Sequence, residues 1–304
     1  MTRVSVRDEV WGAFVDPDAI TGGMPYLHEN FVSTGAYLAL YHAGLIATGA
    51  QVVTHLVTGL PVAHYRDDAA VAALRTRLTG SHQVAPGRVV EVRRVSVIPQ
   101  AIGAYIGASD TLPVDALPYE TVLVIDVGHF SVDWVYLVNQ SVRRDLSGST
   151  FQAGATVLEE AARVISETYA IRISMDRVFR MVRDGASTPT IAGKVIDLRA
   201  ALDTAGTRVS EKVANHIKSS LRADAGAVTM VVMTGGGASF FQRAVTDMFA
   251  PAKIVQLRNS VMANANGFRL YAKRQRFAHP TPSTVHMDAS IAAHRRQACA
   301  RASA

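Results

Sequence analysis

The sequence predicts an α/β protein of about two domains, since its 304 residues compare with roughly 150 residues per domain. Apolar runs of strand length recur along the chain with helical stretches between them, which is the pattern of an α/β architecture. Hydrophobic residues form 49% of the chain and charged residues 18%, so the composition favours packed cores over disorder.

The charge and the single cysteine narrow the function classes. The formal net charge is +6, but the basic residues are scattered in short groups such as Arg93-Arg94 and Arg143-Arg144, so we predict no direct nucleic-acid site. Cys299 stands alone and excludes an intrachain disulfide, which favours a reducing cytoplasm. No window of about 20 residues is mostly strongly apolar and the N-terminus has no apolar signal segment, so we expect neither a membrane span nor secretion.

Periodicity predicts the elements of the first half. Apolar residues recur at helical spacing over residues 33–46 and 67–79. A β-rich run over 51–60 ends at Gly59-Leu60-Pro61, and alternation predicts extended structure over 88–99. A short helix over 100–106 follows.

A polar stretch over 108–120, with Pro113 and Pro118, is the expected crossover between domains. The second half then predicts strands over 121–128, 132–138, 227–233 and 253–257, and helices over 153–169, 176–182, 210–221, 238–249 and 261–276. Residues 184–196 are expected to form a loop that ends in a short strand. The polar composition after residue 279 predicts a disordered tail.

The most informative segment is Asp126-Val127-Gly128-His129-Phe130-Ser131-Val132-Asp133. An acidic residue at the end of a buried strand, followed by a glycine turn and a hydroxyl, lets backbone N–H groups approach phosphate oxygens while the carboxylate holds hydrated Mg²⁺. An ordinary tight β-turn explains the same residues equally well.

A second glycine segment is Thr234-Gly235-Gly236-Gly237-Ala238-Ser239, placed between a predicted strand and a predicted helix. Glycines let the backbone pass close to a ligand, and a helix N-terminus favours an anion. The segment matches neither a Walker A loop nor a dinucleotide fingerprint, and a flexible turn is the alternative.

Gln100 begins the short helix directly after Pro99. Its amide could orient a water for in-line attack on phosphorus, although a simple helix-end role accounts for a lone glutamine.

Taken in order, these three segments resemble the actin, sugar kinase and Hsp70 superfamily, and more closely the plasmid-segregation actin-like ATPases of the ParM/StbA type. Within that group the chain looks most like protein D of PRTRC plasmid systems. Asn264-Ala265-Asn266-Gly267-Phe268 and Gly59-Leu60-Pro61 also resemble segments of these proteins. The resemblance covers most of residues 25–275.

The resemblance implies an actin-like (ribonuclease H-like) two-domain fold with a nucleotide cleft. Its first domain would take residues 1–112 and be completed by 258–278, its second domain would take 113–257, and 279–304 would be a disordered tail. It also implies ATP and Mg²⁺ as cofactors, self-association into filaments and a DNA-binding adaptor protein as a partner.

The resemblance implies a role for each residue of this chain that matches a motif of the family. Gln100 would position the attacking water and Asp126 would hold the Mg²⁺ shell. The phosphates would meet Gly128, His129 and Ser131. The nucleoside would lie over Gly235, Gly236, Gly237 and Ala238.

One departure affects activity. The family opens with Asp-x-Gly-x-x-x-x-Lys on an N-terminal hairpin, and nothing like that motif precedes Trp11. We therefore expect that hairpin to be missing, either because the sequence starts downstream of the true start or because the chain is a degenerate member that binds nucleotide weakly or not at all, and we leave ATP hydrolysis open. Alternatives are a degenerate, non-hydrolysing structural or adaptor protein of the same fold, and a small-molecule kinase that uses Asp126 or Asp133.

Overall fold

The chain forms two compact units in a computed structural model that describes residues 2–7, 9–13, 30–108 and 120–277. The smaller unit comprises the described parts of Met1–Leu60 and His64–Ile98, and the larger unit comprises Pro61–Ala63 and the chain from Pro99 onwards. The predicted tail over 279–304 and the predicted boundary at 112 lie outside the described residues. The predicted domain limits therefore remain a prediction.

The smaller unit packs short strands against two helices. Its elements are β1 (Thr2–Val6), β2 (Glu9–Ala13), α1 (Gly35–Ala47), β3 (Val52–Val53), β4 (Leu56–Leu60), α2 (Val62–Tyr65, which begins within the larger unit), α3 (Asp68–Leu78), β5 (Gly80–Ala85), β6 (Arg88–Val92) and β7 (Val95–Pro99). The strands pair as β1-β2, β3-β6-β5 and β4-β7. Its main core is aliphatic, and Leu60, Leu78, Val84, Val90 and Val92 are fully buried in it.

An N-terminal hairpin is present, so the expectation that it would be missing is wrong. Strands β1 and β2 pair antiparallel from Thr2 opposite Ala13 to Val6 opposite Glu9. Val4 and Val6 alternate inward and pack with Ala13 against α1. Two inward valines on a five-residue strand are too weak a period to predict it. The hairpin has no Asp-x-Gly-x-x-x-x-Lys, so that part of the sequence interpretation stands.

The larger unit is built on one five-stranded sheet in the order β10-β9-β8-β13-β14. Its elements are α4 (Gln100–Ala108), β8 (Thr121–Val127), β9 (Val132–Val138), β10 (Ser141–Thr150), α5 (Gly154–Tyr169), α6 (Met175–Arg183), β11 (Thr190–Ile191), β12 (Lys194–Val195), α7 (Leu198–Leu221), β13 (Met230–Thr234), α8 (Ala238–Met248), β14 (Lys253–Gln256) and α9 (Ala263–Phe277). Strands β8, β9 and β10 run antiparallel in sequence, whereas β13 is parallel to both β8 and β14.

The sheet of the larger unit is buried and carries the principal core. Leu123, Ile125, Trp134 and Tyr136 from β8 and β9 pack in one cluster with α5, α7 and α8. These continuous apolar runs explain why β8, β9 and β13 could be predicted from sequence. No helix in the described part of the chain has the length and apolar character needed to cross a membrane.

Helices α4 and α9 meet backbone to backbone. A Cβ added at Gly267 of α9 would lie 1.6 Å from the carbonyl oxygen of Gly103 in α4, and one added at Gly107 would lie 2.8 Å from the carbonyl oxygen of Ala263. A Cβ added at Gly103 would in turn lie 2.4 Å from the Phe268 ring. Only glycine permits this approach, and it brings the first turn of α9 beside α4.

Four further regions differ from the predicted elements. Helix α7 begins at Leu198 rather than at 210, because the side chain of Asp197 accepts a hydrogen bond from the Ala200 N–H at 2.9 Å and caps it. Strands β5 and β10 were not predicted at all. The expected loop over 184–196 contains the small hairpin β11-β12.

Candidate functional site

Two neighbouring strands of the larger unit end at the same edge of its sheet. The parallel register of β8 and β13 sets Asp126 opposite Thr234. Because the carboxyl ends of parallel strands meet at one edge, the turn after β8 and the glycine loop after β13 are brought together there. The two segments that the sequence singled out independently are therefore adjacent in space.

The turn after β8 is closed and braced by backbone hydrogen bonds. The Gly128 N–H donates to the Ser131 carbonyl at 2.9 Å. The N-terminus of α5 donates to the turn, from Gly154 to the Gly128 carbonyl at 3.1 Å and from Ala155 to the His129 carbonyl at 2.8 Å. Since C=O and N–H point in opposite directions across a trans peptide, the N–H groups of His129 and Phe130 point away from α5. An anion could be bound by these groups.

The glycine loop after β13 lies against the end of β8. Gly235 has a φ of +90°, and a Cβ added there would lie 2.2 Å from the Val127 carbonyl oxygen and 2.6 Å from Asp126 Oδ1. The Gly237 N–H donates to the Val127 carbonyl at 2.9 Å. Helix α8 then begins at Ala238, which is buried. Gly235 is thus required both by its left-handed backbone and by its contact with Asp126.

Asp126 is a buried carboxyl at the centre of this edge, 6% exposed. Its Oδ2 accepts a hydrogen bond from Asn264 Nδ2 at 2.6 Å. Burial raises the pKa of Asp126 from its usual 3.8 to about 6, the Asn264 hydrogen bond lowers it and the neighbouring charge of Asp133 raises it further. A cation close to this carboxyl would restore full ionisation.

The residues at this edge fit Mg²⁺ and a phosphate group. Asp126 supplies a hard oxygen ligand of the kind Mg²⁺ takes together with phosphate oxygens and waters. The backbone of Gly235 lies close to Oδ1 of this carboxyl, since a Cβ added there would approach it to 2.6 Å. Mg²⁺ held in this way usually needs only one or two carboxylates from the protein.

The remaining predicted site residues in this region are Ser131, His129 and Gln100. Ser131 is buried and its hydroxyl donates to Asp133 Oδ2 at 2.7 Å. The His129 ring lies against Phe179 with centroids 5.8 Å apart, and burial lowers the pKa of His129. Its Nε2 is buried without a partner among the described residues. Gln100 is half-buried at the first position of α4.

Sequence reasoning missed two groups in this region. Asn264 was noted only as part of a motif, yet its side chain contacts both Asp126 and the Ala104 N–H of α4, the latter at 3.0 Å. Asp133 was considered as a catalytic acid, whereas the structure shows it 1% exposed and bound to neighbouring hydroxyl and N–H groups. The sequence signal for Asn264 was a polar residue near a glycine at the start of a helix. The signal for Asp133 was a second acidic residue in a buried strand.

The paired strand ends with an acid-glycine turn and a glycine loop, in a chain of two α/β units, are the arrangement that the resemblance to actin-like proteins implied. Sequence-family comparison agrees, because residues 2–103 match the actin like proteins N terminal domain and residues 124–247 match the C-terminal domain of the archaeal actin homologue MreB-like family. The chain therefore has an actin-like fold.

Solved structures give the particular similarities. The native structure of Ta0583, an archaeal actin homolog, is 19% identical with a TM-score of 0.71 and covers 90% of this chain and 87% of that chain. Actin-like protein Alp7A is 13% identical with a TM-score of 0.66, covering 90% and 82%. A ParM filament from Clostridium botulinum is 15% identical with a TM-score of 0.61, covering 81% and 75%. A search of curated proteins returned no significant match.

Proposed function

We propose that this chain is an actin-like protein of plasmid partition that binds Mg²⁺ and ATP at the edge formed by Asp126, Gly128 and Gly235, and assembles into filaments. The observation that carries the proposal is the position of the Asp126 carboxyl between the turn after β8 and the glycine loop after β13. A turn suited to phosphate, a glycine loop suited to the nucleoside and a suited oxygen ligand converge there, which is more specific than either glycine segment alone.

The residues would divide the work of binding. The N–H groups of the turn after Gly128 would bind phosphate oxygens, and the Asp126 carboxylate would hold the hydration shell of Mg²⁺. The loop Gly235–Gly237 would pass under the nucleoside, and Gln100 would orient a water. Mg²⁺ would neutralise charge on the phosphates.

The similar structures support nucleotide binding and assembly as properties of related folds. Ta0583 has been solved in complex with ADP, and that structure is 19% identical with a TM-score of 0.65, covering 80% of this chain and 79% of that chain. ParM from Clostridium botulinum and Alp12 have been solved as filaments. Protein D of PRTRC systems is the particular relative we propose, with a DNA-binding adaptor linking the filament to the plasmid.

A second function is favoured by one specific observation, the absence of Asp-x-Gly-x-x-x-x-Lys in the first hairpin. The same fold could then serve as a filament or adaptor component that neither binds nor hydrolyses ATP. Thermal denaturation separates the two, because a ligand that binds only the folded state must raise the melting temperature.

The test of the proposal combines two measurements on the full chain. Saturating Mg·ATP is expected to raise the melting temperature by several degrees, and light scattering is expected to rise on ATP addition and not on addition of AMP. An unchanged melting temperature would reject nucleotide binding and favour the second function. Scattering that is the same with and without ATP would reject the ATP-dependence of assembly.

A further inference from the structure

Asp133 is a buried carboxylate that the proposed binding chemistry does not use. It lies on β9 directly opposite Asp126 of β8 and is 1% exposed. A charge buried to this degree is stable only when hydrogen-bonded, and breaking such bonds is strongly destabilising. The hydrogen-bond partners of Asp133 therefore show which segments of the chain it joins.

One carboxylate oxygen of Asp133 binds the turn after β8. Its Oδ2 accepts the hydroxyl hydrogen of Ser131 at 2.7 Å. Ser131 also closes this turn, since its carbonyl accepts from the Gly128 N–H at 2.9 Å. Asp133 thus fixes the side chain of the residue whose backbone completes the candidate phosphate turn.

The other carboxylate oxygen binds a segment distant in sequence. Its Oδ1 accepts the Val62 N–H at 2.6 Å and the hydroxyl of Ser149. Ser149 Oγ in turn accepts the Ala63 N–H at 2.9 Å. Asp133 and Ser149 together therefore bind two consecutive backbone N–H groups at the start of α2.

The segment bound in this way is unusual in the chain. Residues Pro61–Ala63 belong to the larger unit, although the residues before and after them belong to the smaller unit. They begin at the proline of Gly59-Leu60-Pro61, the strand end singled out from sequence. The first N–H groups of a helix have no partner within it, and Asp133 and Ser149 supply those partners.

We propose that Asp133 is a positioning residue that joins the 61–63 segment to the turn 128–131, so that the two order and open as one element. The inference deepens the proposed function, on which its nucleotide consequence rests: phosphate bound at the turn would also order residues 61–63. The charge-assisted bonds to one carboxylate are the physical link.

The experiment follows amide hydrogen exchange in the nucleotide-free full chain, at Val62 and Ala63 and at Gly128. Asp133→Asn keeps the shape of the side chain but removes the charge. It is expected to accelerate exchange at least tenfold at both places. Ser149→Ala is expected to accelerate Ala63 most. Ser147→Ala is the matched control, because Ser147 lies on the same strand and binds Tyr136 N and the Arg143 carbonyl instead, and it is expected to leave Val62 and Ala63 unchanged.

Two outcomes would overturn the inference. In the first, Asp133→Asn accelerates exchange in the turn and not at Val62 and Ala63, or the reverse, which would show that the segments open independently. In the second, Ser147→Ala has the same effect on Val62 and Ala63 as Ser149→Ala, which would show only general loosening of β10.

The nucleotide consequence is measured at ATP concentrations that saturate each protein. Wild-type protein with Mg·ATP is expected to exchange Val62 and Ala63 more slowly still, and Ser149→Ala is expected to lose the extra protection at Ala63. Equal extra protection in both would reject the coupling. If the wild type binds no ATP, the proposed function fails, while the exchange rates without nucleotide still decide the role of Asp133.

Discussion

Asn264 donates its Nδ2 hydrogen to Asp126 Oδ2 at 2.6 Å, and its Oδ1 accepts the Ala104 N–H at 3.0 Å. One amide side chain therefore ties α9 and α4 to the end of β8, where the candidate Mg²⁺ ligand lies. The close approach of Gly103 and Gly267 sets the distance between the helices that this bridge spans. These contacts give Asn264 and Gly267, two residues of the motif Asn-Ala-x-Gly-Phe, a structural role.

Asn264→Ala is expected to lower the free energy of unfolding by about 2 kcal/mol, because a buried carboxyl loses a donor and an N–H group loses an acceptor. Asn266→Ala is the control on the same helix, since Asn266 is exposed, and it is expected to change stability by less than about 0.5 kcal/mol. Urea unfolding measures both. Equal losses in the two variants would contradict the role given to Asn264.

Asp126→Asn should change the pH dependence of stability. The folded-state pKa of Asp126, about 6, lies above its usual 3.8 because burial disfavours the charge. Its favourable contribution is therefore present below about pH 4 and lost as the pH rises through 6. In metal-free buffer the wild type loses this contribution and the variant does not. The free energy of unfolding of the variant, relative to that of wild type, is therefore expected to rise by up to about 3 kcal/mol between pH 4 and pH 7. Urea unfolding across this range measures the gain, and a pH-independent difference would contradict the buried position of the carboxyl.

Gly235→Ala is expected to disrupt the candidate site. A Cβ at this position would lie 2.2 Å from the Val127 carbonyl oxygen, and a φ of +90° is one that alanine rarely adopts. Gly236→Ala is the matched control, because the nearest atom to its Cβ would be Val261 Cγ2 at 3.7 Å. We expect Gly235→Ala to lose more than about 2 kcal/mol of stability and Gly236→Ala less than about 1 kcal/mol. Circular dichroism melts compare them, and similar melting temperatures would show that the loop does not lie against β8.

Gly267→Ala tests the contact between α4 and α9. The added Cβ would lie 1.6 Å from the Gly103 carbonyl oxygen, so the helices must separate, and we expect a loss of more than about 3 kcal/mol or failure to fold. Gly44→Ala also replaces a helical glycine, in α1, but its Cβ would meet nothing within 4 Å. That variant is expected to gain about 0.5 to 1 kcal/mol. A tolerated Gly267→Ala would refute the close packing.

Sequence patterns predicted the elements whose burial is uniform or strongly periodic. Strands β8, β9 and β13 are buried along nearly their whole length. Such continuous apolar runs can be recognised as strands without knowing which strands they pair with. Strand β10 was missed because its centre, Arg143 to Asp145, is exposed at a register irregularity between Arg143 and Gly148. Its pairing with β9 comes from tertiary context and not from local pattern.

The sequence was sufficient to predict which segments form the candidate site, but not which contacts join them. The turn after Asp126 was predicted to bind phosphate and the loop from Gly235 to lie under the nucleoside. Their adjacency follows from a parallel strand pairing that only the sheet order reveals. The roles of Asn264 and Asp133 depend on partners 138 and 71 positions away in sequence. No spacing rule within one element could indicate them.

The claim that this sheet edge binds a nucleotide through Asp126 is tested most directly by isothermal titration calorimetry of ATP, with Mg²⁺ and with EDTA, on wild type and Asp126→Asn. The wild type is expected to bind one ATP per chain at least tenfold more tightly with Mg²⁺ than with EDTA, and Asp126→Asn is expected to lose that difference. No ATP binding by the wild type, or the same gain from Mg²⁺ in Asp126→Asn, would contradict the account.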